Sequence, residues 1–355
     1  MKIVQVMPEF GLAGAEIMCE NLTYELIKLG HKVIVISMYD YHSAITQRLE
    51  NAGVDVRYLG KKPGLDFSMI LKMKKIFKEE KVDVIHTHRY CAQYAVPAAI
   101  LAGVKRRVHT IHSIASKENG RFARILNKFF FKHCGLIPVA LSEKIRETVV
   151  EEYKIDSQNI PVVYNGVPLD KCLIKEDYSI DSNRIAILHV GRFAMVKNHM
   201  ELINAVCELK KMFNGIVLQL VGDGELKSDI EKHIADCKAE NYIEILGLKD
   251  NVFPYFQQAD IFVLPSIYEG IPMTLIEAMG SGLPIVASRV GGIPDMISDD
   301  KEGLLCEPNA HSIAEKIKKM ITDKELRKTC AKEARNKARY FSAKTMGEEY
   351  EHLYK

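Results

Sequence analysis

The sequence lacks the segments that mark membrane-spanning and secreted proteins. No apolar run approaches the ~20 residues that a helix needs to span a bilayer, and no charged leader with a long apolar core precedes the first apolar segment. The eight cysteines form no CxxC pair and lie in no cysteine–histidine group at metal-ligand spacing. We therefore expect a cytoplasmic protein with reduced cysteines and without a metal site.

Two common nucleotide-binding signatures are also missing. The loop PEFGLAGAE at residues 8–16 does not fit GxGxxG, because position 13 is Ala13 and no third glycine follows. The segment HVGRFAMVKN at residues 189–198 lacks the second glycine and the Ser or Thr of a Walker P-loop. These absences disfavour a P-loop enzyme and a NAD-dependent dehydrogenase, although Asp40 would be available to bind a ribose.

Apolar segments alternate with amphipathic ones along the 355 residues, a length typical of two domains. Continuous β-branched runs of this kind are typical of strands buried on both faces of a parallel sheet. A polar, irregular stretch after residue 170 separates two such sets, so we predict an α/β protein with two Rossmann-like units. The predicted strands are residues 2–7, 32–37, 54–59, 82–88, 106–111 and 136–142, then 184–191, 216–222, 242–247, 260–265 and 283–288.

Ligands of open parallel sheets bind beyond the carboxyl ends of the strands. In the loop after the first strand, Gly11 and Gly14 would let the backbone approach a ligand at a helix N-terminus, although a tight turn would need glycine too. After residue 190, Gly191 precedes two cations that fit a diphosphate, Arg192 through bidentate bonds and Lys197 as a point charge. The alternative is a surface charge pair.

The segment EGIPMTLIE, residues 269–277, places two carboxylates around an apolar helix start. Pro272 suits the first helical position, and the amides at that end form an anion site. The side chain of Glu277 leans back along the helix towards the same ligand. Since a carboxylate accepts well from a vicinal diol, we predict that Glu277 binds a ribose. Glu269 then meets what lies beyond the phosphates. The alternative is a solvent-facing Glu277 and a Glu269 that is only a loop residue.

Four histidines, His86, His88, His109 and His112, end two neighbouring strands of the first domain. A histidine at a strand end is more often a structural group than a catalyst, but four on adjacent loops favour a role for at least one. We predict that His112 reaches the ligand. A metal site is the weaker alternative, because no carboxylate accompanies the histidines in the local sequence.

Residues 105–132 contain eight Lys or Arg against a single acid. Phe122, Ile125, Phe129 and Phe130 lie at helical spacing among these cations, which suits an anionic membrane surface. In the alternative, the aromatic residues belong to the core and the cations form a solvated face. We predict peripheral membrane contact through this segment, and no nucleic-acid partner.

Together these motifs resemble those of glycosyltransferase family 4, also called glycosyl transferases group 1. The resemblance rests on the GAE loop, VALSE, YNGV, GRFAMVKN, VGDGEL and DIFVLPSIYEGIPMTLIEAMGSGLPIVAS, and covers nearly the whole chain. It implies the GT-B fold: two Rossmann-like, doubly wound parallel-sheet domains that face a central cleft. Residues 1–170, joined by a C-terminal helix at 341–355, would bind the acceptor, and residues 171–340 the nucleotide sugar.

The resemblance also implies the reaction, which is transfer of a sugar from a UDP- or GDP-linked donor with retention and without a metal or cofactor. It assigns the diphosphate to Arg192 and Lys197, the ribose to Glu277, and the donor sugar to Glu269 and His112. Further donor contacts would be Gly14, Gly191, Leu246, Gly247, Lys249, Gly270, Ile271, Pro272, Met273, Thr274 and Leu275. Ala13 departs from the Gly-Gly of many members, so the backbone approaches the donor less closely there.

The expected acceptor is a sugar or lipid-linked molecule of cell-surface polysaccharide or glycolipid synthesis, at the inner face of the cell membrane. Two other activities are compatible with a GT-B fold. A nucleotide-sugar epimerase would need an acid and a base at the sugar, and E-x7-E is not its usual signature. A non-catalytic nucleotide-sugar-binding subunit would normally have lost one of the four charged residues.

Overall fold

The computed structural model describes residues 1–11 and 13–355, which divide into two compact units. The first unit comprises Met1–Gly166 and Ala343–Lys355, and the second comprises Val167–Ser342. The boundary expected from the sequence was residue 170, with a return to the first unit at residue 341.

The first unit is built on six parallel strands in the order β3-β2-β1-β4-β5-β6. Each run of β-branched residues that was expected to be a strand in this half of the chain is one. The strands are β1 (Lys2–Met7), β2 (Lys32–Ser37), β3 (Asp55–Tyr58), β4 (Val84–His88), β5 (Arg106–Ile111) and β6 (Leu136–Ala140). The helices are α1 (Gly14–Lys28), α2 (Ala44–Asn51), α3 (Ser68–Glu79), α4 (Ala92–Ala102), α5 (Ala115–Glu118), α6 (Arg121–His133) and α7 (Glu143–Tyr153).

The second unit repeats this architecture with the order β12-β11-β10-β7-β8-β9. Its strands are β7 (Ile185–Val190), β8 (Ile216–Val221), β9 (Ile243–Gly247), β10 (Ile261–Leu264), β11 (Ile285–Ser288) and β12 (Leu304–Cys306). Its helices are α8 (His199–Lys210), α9 (Lys227–Asp236), α10 (Phe253–Gln258), α11 (Met273–Gly280), α12 (Ile293–Met296), α13 (Ala310–Thr322) and α14 (Lys324–Ala338). The two parallel sheets confirm the predicted α/β class.

The last helix, α15 (Ala343–Tyr354), lies in the first unit against α1. Gly347 allows this close approach, since a Cβ there would stand 2.7 Å from Cβ of Glu25. Tyr350 and Tyr354 of α15 enter the core under α1. Helices α1, α2 and α15 therefore cover one face of the first sheet, while α3, α4 and α6 cover the other.

Helix starts follow the local sequence where a polar side chain is available. Ser43 and Thr46 form a capping box at α2, in which each side chain accepts a hydrogen bond from the backbone N–H of the other. At α7, Oγ of Ser142 accepts from the N–H of Ile145 at 3.1 Å. Two helices near the predicted site, α1 and α11, lack a side-chain cap.

None of the helices in the described residues is long and apolar enough to cross a membrane. All eight cysteines are free thiols. Within residues 1–11 and 13–355, no three or more His, Cys, Asp or Glu side chains are grouped to hold a metal ion.

Candidate active site

The loops after β7 and β10 bring two of the predicted residues together, because these strands are neighbours in the second sheet. Nζ of Lys197 donates to Oε1 of Glu269 at 2.6 Å, and Oγ of Ser266 donates to the same oxygen at 2.6 Å. The two charged side chains are only 17% and 11% exposed. A pair this buried is stiffer and less screened than a surface ion pair.

Asn198 holds the lysine loop at this position. It adopts a left-handed conformation with φ 58°, which asparagine tolerates better than most residues. Its Nδ2 donates to the carbonyl oxygens of Pro265 and Pro308 at 3.1 and 3.0 Å. The end of β10 and the turn that carries Lys197 are thereby tied together.

The second predicted cation, Arg192, lies in an exposed ion pair with Glu225. Its Nη2 is 3.0 Å from Oε2 of Glu225, and the side chains are 72% and 53% exposed. Exposed pairs contribute at most about 1 kcal/mol, so Arg192 can exchange this partner for an anion at little cost. Glu225 was not predicted as a site residue, although it lies in the VGDGEL motif.

The VGDGEL loop lies directly against the arginine loop, and glycine makes this possible. Gly222 has φ 147°, and a Cβ there would stand 2.0 Å from the carbonyl oxygen of Gly191. The backbone N–H of Phe193 donates to the carbonyl of Asp223 at 2.9 Å. The position of Arg192 therefore depends on β8 as well as on β7.

Helix α11 supplies the expected amide groups, with one correction. Pro272, predicted as the first helical residue, is the N-cap, because its ψ of 121° is extended. Its carbonyl accepts the first intrahelical bond, from the N–H of Leu275 at 3.1 Å. The amides of Met273 and Thr274 precede that bond, so they are available to an anion.

Glu277 lies on the same short helix, one turn after its start. Its side chain is half-buried, and no ion pair to it is found in the described part of the chain. Burial raises the pKa of its carboxyl group to about 8. A half-buried carboxyl without a cation is costly to the fold and typical of a site that receives a ligand.

Replacing Glu277 by glutamine is expected to remove a pH-dependent loss of stability. A carboxyl group whose pKa rises from 4.5 unfolded to about 8 folded binds more protons in the native state between those values. The stability of the parent therefore falls with increasing pH across that window, by at most about 1.4 kcal/mol per unit. Thermal unfolding of the parent and of E277Q from pH 5 to pH 9 measures this pH dependence of stability. The stability of E277Q minus that of the parent should increase towards pH 8. Parallel profiles of stability against pH would contradict the raised pKa of Glu277.

A glycine pair that was not predicted from the sequence packs against the backbone of Glu269 and holds its loop in place. Gly291 has φ 53°, and a Cβ there would stand 1.8 Å from the carbonyl oxygen of Glu269. The N–H of Gly292 donates to the same carbonyl at 3.1 Å. The signal was present in the sequence, because Gly-Gly follows two residues after the end of β11.

The loop assigned to the nucleotide base begins where β9 ends. Gly247 has φ 73°, which turns the chain out of the strand. Leu248 is exposed, and Nζ of Lys249 lies 5.9 Å from the ring centre of Tyr255. The exposed side chain of Leu248 offers an apolar surface on which a planar base could stack.

In the first unit, three of the four histidines lie in the core and make hydrogen bonds there. His86 contacts the hydroxyls of Tyr354 and Thr110, both at 2.7 Å, and His109 contacts Oγ1 of Thr87 at 2.9 Å. The pKa values of both rings are lowered by burial, that of His109 to about 4. These two histidines are structural groups.

His112 differs because it lies beyond β5 and is half-buried. Its Nε2 is 2.9 Å from Nδ1 of His88, and its backbone N–H donates to Oε1 of Glu118 at 2.7 Å. Burial lowers the pKa of the ring to about 3. His112 is therefore a neutral imidazole, held in place at the end of the first sheet.

The two glycines of the loop after β1 are not crowded by neighbouring residues. A Cβ at Gly11 or Gly14 would meet nothing within 4 Å, and neither residue has a positive φ. The protein's own packing thus does not require glycine here, which favours a close ligand approach over a structural turn. Leu12, in the same loop, lies outside the described residues.

The basic segment splits its apolar residues between core and surface. Phe130 is buried against the core of the first unit. Phe122, Ile125 and Phe129 are 59%, 59% and 54% exposed on one side of α6. We call these three side chains the α6 patch. The exposure of the α6 patch is compatible with contact to a membrane surface. Phe130, which was predicted to belong to the same surface, lies in the core instead.

Two family models match consecutive parts of the chain. The model described as Glycosyltransferase Family 4 matches residues 12–171, and the model described as Glycosyl transferases group 1 matches residues 170–337. Together they cover both units.

Relatives with assigned activities match most of the chain. A UDP-Gal:alpha-D-GlcNAc-diphosphoundecaprenol alpha-1,3-galactosyltransferase of Escherichia coli is 28% identical over 77% of this chain and 74% of its own. An N-acetylgalactosamine-N,N'-diacetylbacillosaminyl-diphospho-undecaprenol 4-alpha-N-acetylgalactosaminyltransferase of Campylobacter jejuni is 28% identical over 77% of this chain and 76% of its own.

Solved structures share the fold over both units. The Anabaena protein HepE, in complex with UDP and glucose, has a TM-score of 0.85 and 18% identity, covering 99% of this chain and 98% of that one. A glycosyltransferase from Rickettsia africae has a TM-score of 0.83 and 23% identity, covering 99% and 97%.

Proposed function

The chain belongs to glycosyltransferase family 4, a group of GT-B glycosyltransferases, and on that premise we propose that it transfers a sugar from a nucleoside-diphosphate sugar to a lipid-linked hydroxyl acceptor, with retention. The observation that carries the proposal is the convergence in the second unit of Lys197, Glu269 and the start of α11. The names of the Escherichia and Campylobacter relatives, which refer to undecaprenyl-diphosphate-linked sugars, support the acceptor class. The product would enter polysaccharide or glycolipid synthesis.

In the proposed reaction, the bond between the anomeric carbon and the diphosphate oxygen breaks as the acceptor oxygen bonds to the same face of that carbon. The acceptor's hydroxyl proton passes to the departing phosphate oxygen, so no separate base is needed. Lys197, Arg192 and the α11 amides stabilise the negative charge that develops on the leaving group. This set supplies the charge stabilisation without a metal or cofactor.

The two acids have separate tasks in this proposal. Glu277 accepts hydrogen bonds from the ribose hydroxyls, for which it has no competing cation in the described part of the second unit. Glu269 holds Lys197 in place and contacts the donor sugar. The loop at Leu246–Lys249 packs against the base.

A thermal-shift panel of nucleoside diphosphates and their sugars tests the donor class. A ligand at 100 times its Kd stabilises the folded state by about 2.7 kcal/mol. We expect one nucleotide family, UDP or GDP, to raise the melting temperature, and the shift to shrink in R192A. No shift with any nucleotide would contradict the proposed donor class.

We also propose that the α6 patch contacts an anionic membrane, where a lipid-linked acceptor would reside. The patch is flanked by the exposed cations Arg121 and Lys132. Apolar side chains on one side of a helix with basic neighbours are typical of an interfacial helix. Such contact would place the protein at the inner face of the cell membrane.

Replacing the patch by serines, in F122S/I125S/F129S, is expected to weaken binding to phosphatidylglycerol vesicles by about 100-fold, because three half-exposed side chains lose roughly 1 kcal/mol of burial each. Vesicle sedimentation at ~0.15 M salt measures the affinity. The control I27S/L29S removes exposed apolar residues at the end of α1, on the other face of the sheet. Equal binding by both variants would contradict the proposal.

A further inference from the structure

A chain of hydrogen bonds leads from the core of the first unit to His112. Gln5 on β1 and His88 at the end of β4 are fully buried. Oε1 of Gln5 is 3.0 Å from Nε2 of His88, and Nδ1 of His88 is 2.9 Å from Nε2 of His112. The proposed reaction requires no function of Gln5 or His88.

The amide of Gln5 has only one orientation that satisfies its neighbours. Its Nε2 lies 3.1 Å from Oγ1 of Thr23 and 3.5 Å from the carbonyl of Cys19. The proton of Thr23 is already donated to that carbonyl at 2.8 Å, so Oγ1 must accept from the amide nitrogen. The thiol of Cys19 donates to Oε1 of Gln5 at 3.4 Å. Oε1 is thus the atom that faces His88.

This orientation determines the proton positions on both imidazoles. A carbonyl oxygen only accepts, so Nε2 of His88 carries a proton and donates it. Burial keeps His88 neutral, which leaves Nδ1 as a lone pair. Nε2 of His112 must therefore donate to that lone pair. In a neutral ring, Nδ1 of His112 is then an acceptor, and it has no hydrogen-bond partner among residues 1–11 and 13–355.

We propose that Gln5 and His88 are positioning residues that hold His112 as its Nε2–H tautomer, so that Nδ1 accepts a hydrogen bond from a substrate hydroxyl. The bond from the His112 backbone to Glu118 fixes the ring's position in the same way. The inference rests on the proposed function for the identity of the substrate. The tautomer itself depends only on the first unit.

This tautomer also sets a preference among substrates. A hydroxyl that points at Nδ1 can donate, whereas a fluorine or a methyl ether at the same carbon cannot. The enzyme should therefore discriminate against a substrate analogue in which that hydroxyl is replaced, by about tenfold in kcat/KM for one hydrogen bond.

Three variants separate the relay from a packing role. In His88→Asn, the amide oxygen takes the place of Nδ1 and still accepts from His112, whereas His88→Leu offers no acceptor. In Gln5→Glu, a carboxylate favours a protonated His88, which would donate to His112 and move the proton of His112 to its Nδ1. H88L and Q5E should lose about tenfold or more in kcat/KM, and H88N should retain most of the activity.

Nitrogen-15 NMR of histidine-labelled protein reads the tautomer without substrate, so it is independent of whether the donor class is right. The parent and H88N should show His112 protonated at Nε2, and Q5E should show it protonated at Nδ1. A parent spectrum with Nδ1 of His112 protonated would overturn the relay, as would equal losses of activity in H88N and H88L. Failure of every nucleotide to bind would instead overturn the proposed function and leave the spectra interpretable.

Discussion

Replacing Lys197 by alanine is expected to lower kcat/KM by about 100- to 1000-fold, the largest single effect in this protein. The ammonium group is positioned by Glu269 and by the turn that Asn198 holds. In the proposed reaction it would meet the leaving diphosphate without having to reorganise, and removal of one such preorganised group costs about 3–4 kcal/mol of transition-state stabilisation. The loss should appear mainly in kcat, because charge develops on the leaving group only as the bond breaks.

Steady-state release of nucleoside diphosphate measures this effect. The matched control is K319A, which removes another lysine that pairs with an acid, Asp300, on the exposed side of α13 in the same unit. The control should keep its activity within about twofold. If K197A stayed within about threefold of the parent, under ~1 kcal/mol, the proposed role of Lys197 would be wrong.

Replacing Glu269 by alanine is expected to cost about 100-fold in kcat/KM. Its Oε1 accepts from both Lys197 and Ser266 at 2.6 Å, so the variant releases the lysine from its position and leaves a nearly buried cation without its partner. E269Q should lose less, about tenfold, because the amide oxygen can still accept both bonds while the charge is removed.

A double-mutant cycle separates positioning from direct contact with the sugar. If Glu269 acts only through the lysine, E269A should have little effect in the K197A background. A remaining loss of tenfold or more in that background would support a second task at the donor sugar. The control E225Q alters the exposed partner of Arg192 and should change kcat/KM by less than about threefold. Unchanged activity in E269A would contradict both tasks.

The strands and the strand-end loops could be predicted because both depend on local chemistry. Continuous runs of β-branched residues require burial on both faces of a sheet. The runs predicted as strands are strands in both sheets. The exception is β12, whose three residues Leu304–Cys306 are too few for a pattern to be read. Pro272 was misplaced by one position, because its fixed φ suits the N-cap as well as the first helical turn.

The parts that the sequence analysis missed are those made by contacts between distant segments. Glu225 pairs with Arg192 only because β8 lies beside β7, and Gly291 supports Glu269 only because β11 lies beside β10. The relay joins Gln5 and His88, which lie on two strands, to His112, which follows a third, and its direction depends on one amide orientation. No spacing along the chain encodes these distances.

The most direct test of the account is transfer itself. The nucleotide sugar that gives the largest thermal shift would be incubated with a polyprenyl-diphosphate-linked sugar and the purified protein, and the product's anomeric configuration read by proton NMR. We expect stoichiometric release of nucleoside diphosphate and a glycoside with the configuration of the donor, and we expect both to be abolished in K197A. A product of inverted configuration would contradict it, and so would an epimerised nucleotide sugar formed without acceptor.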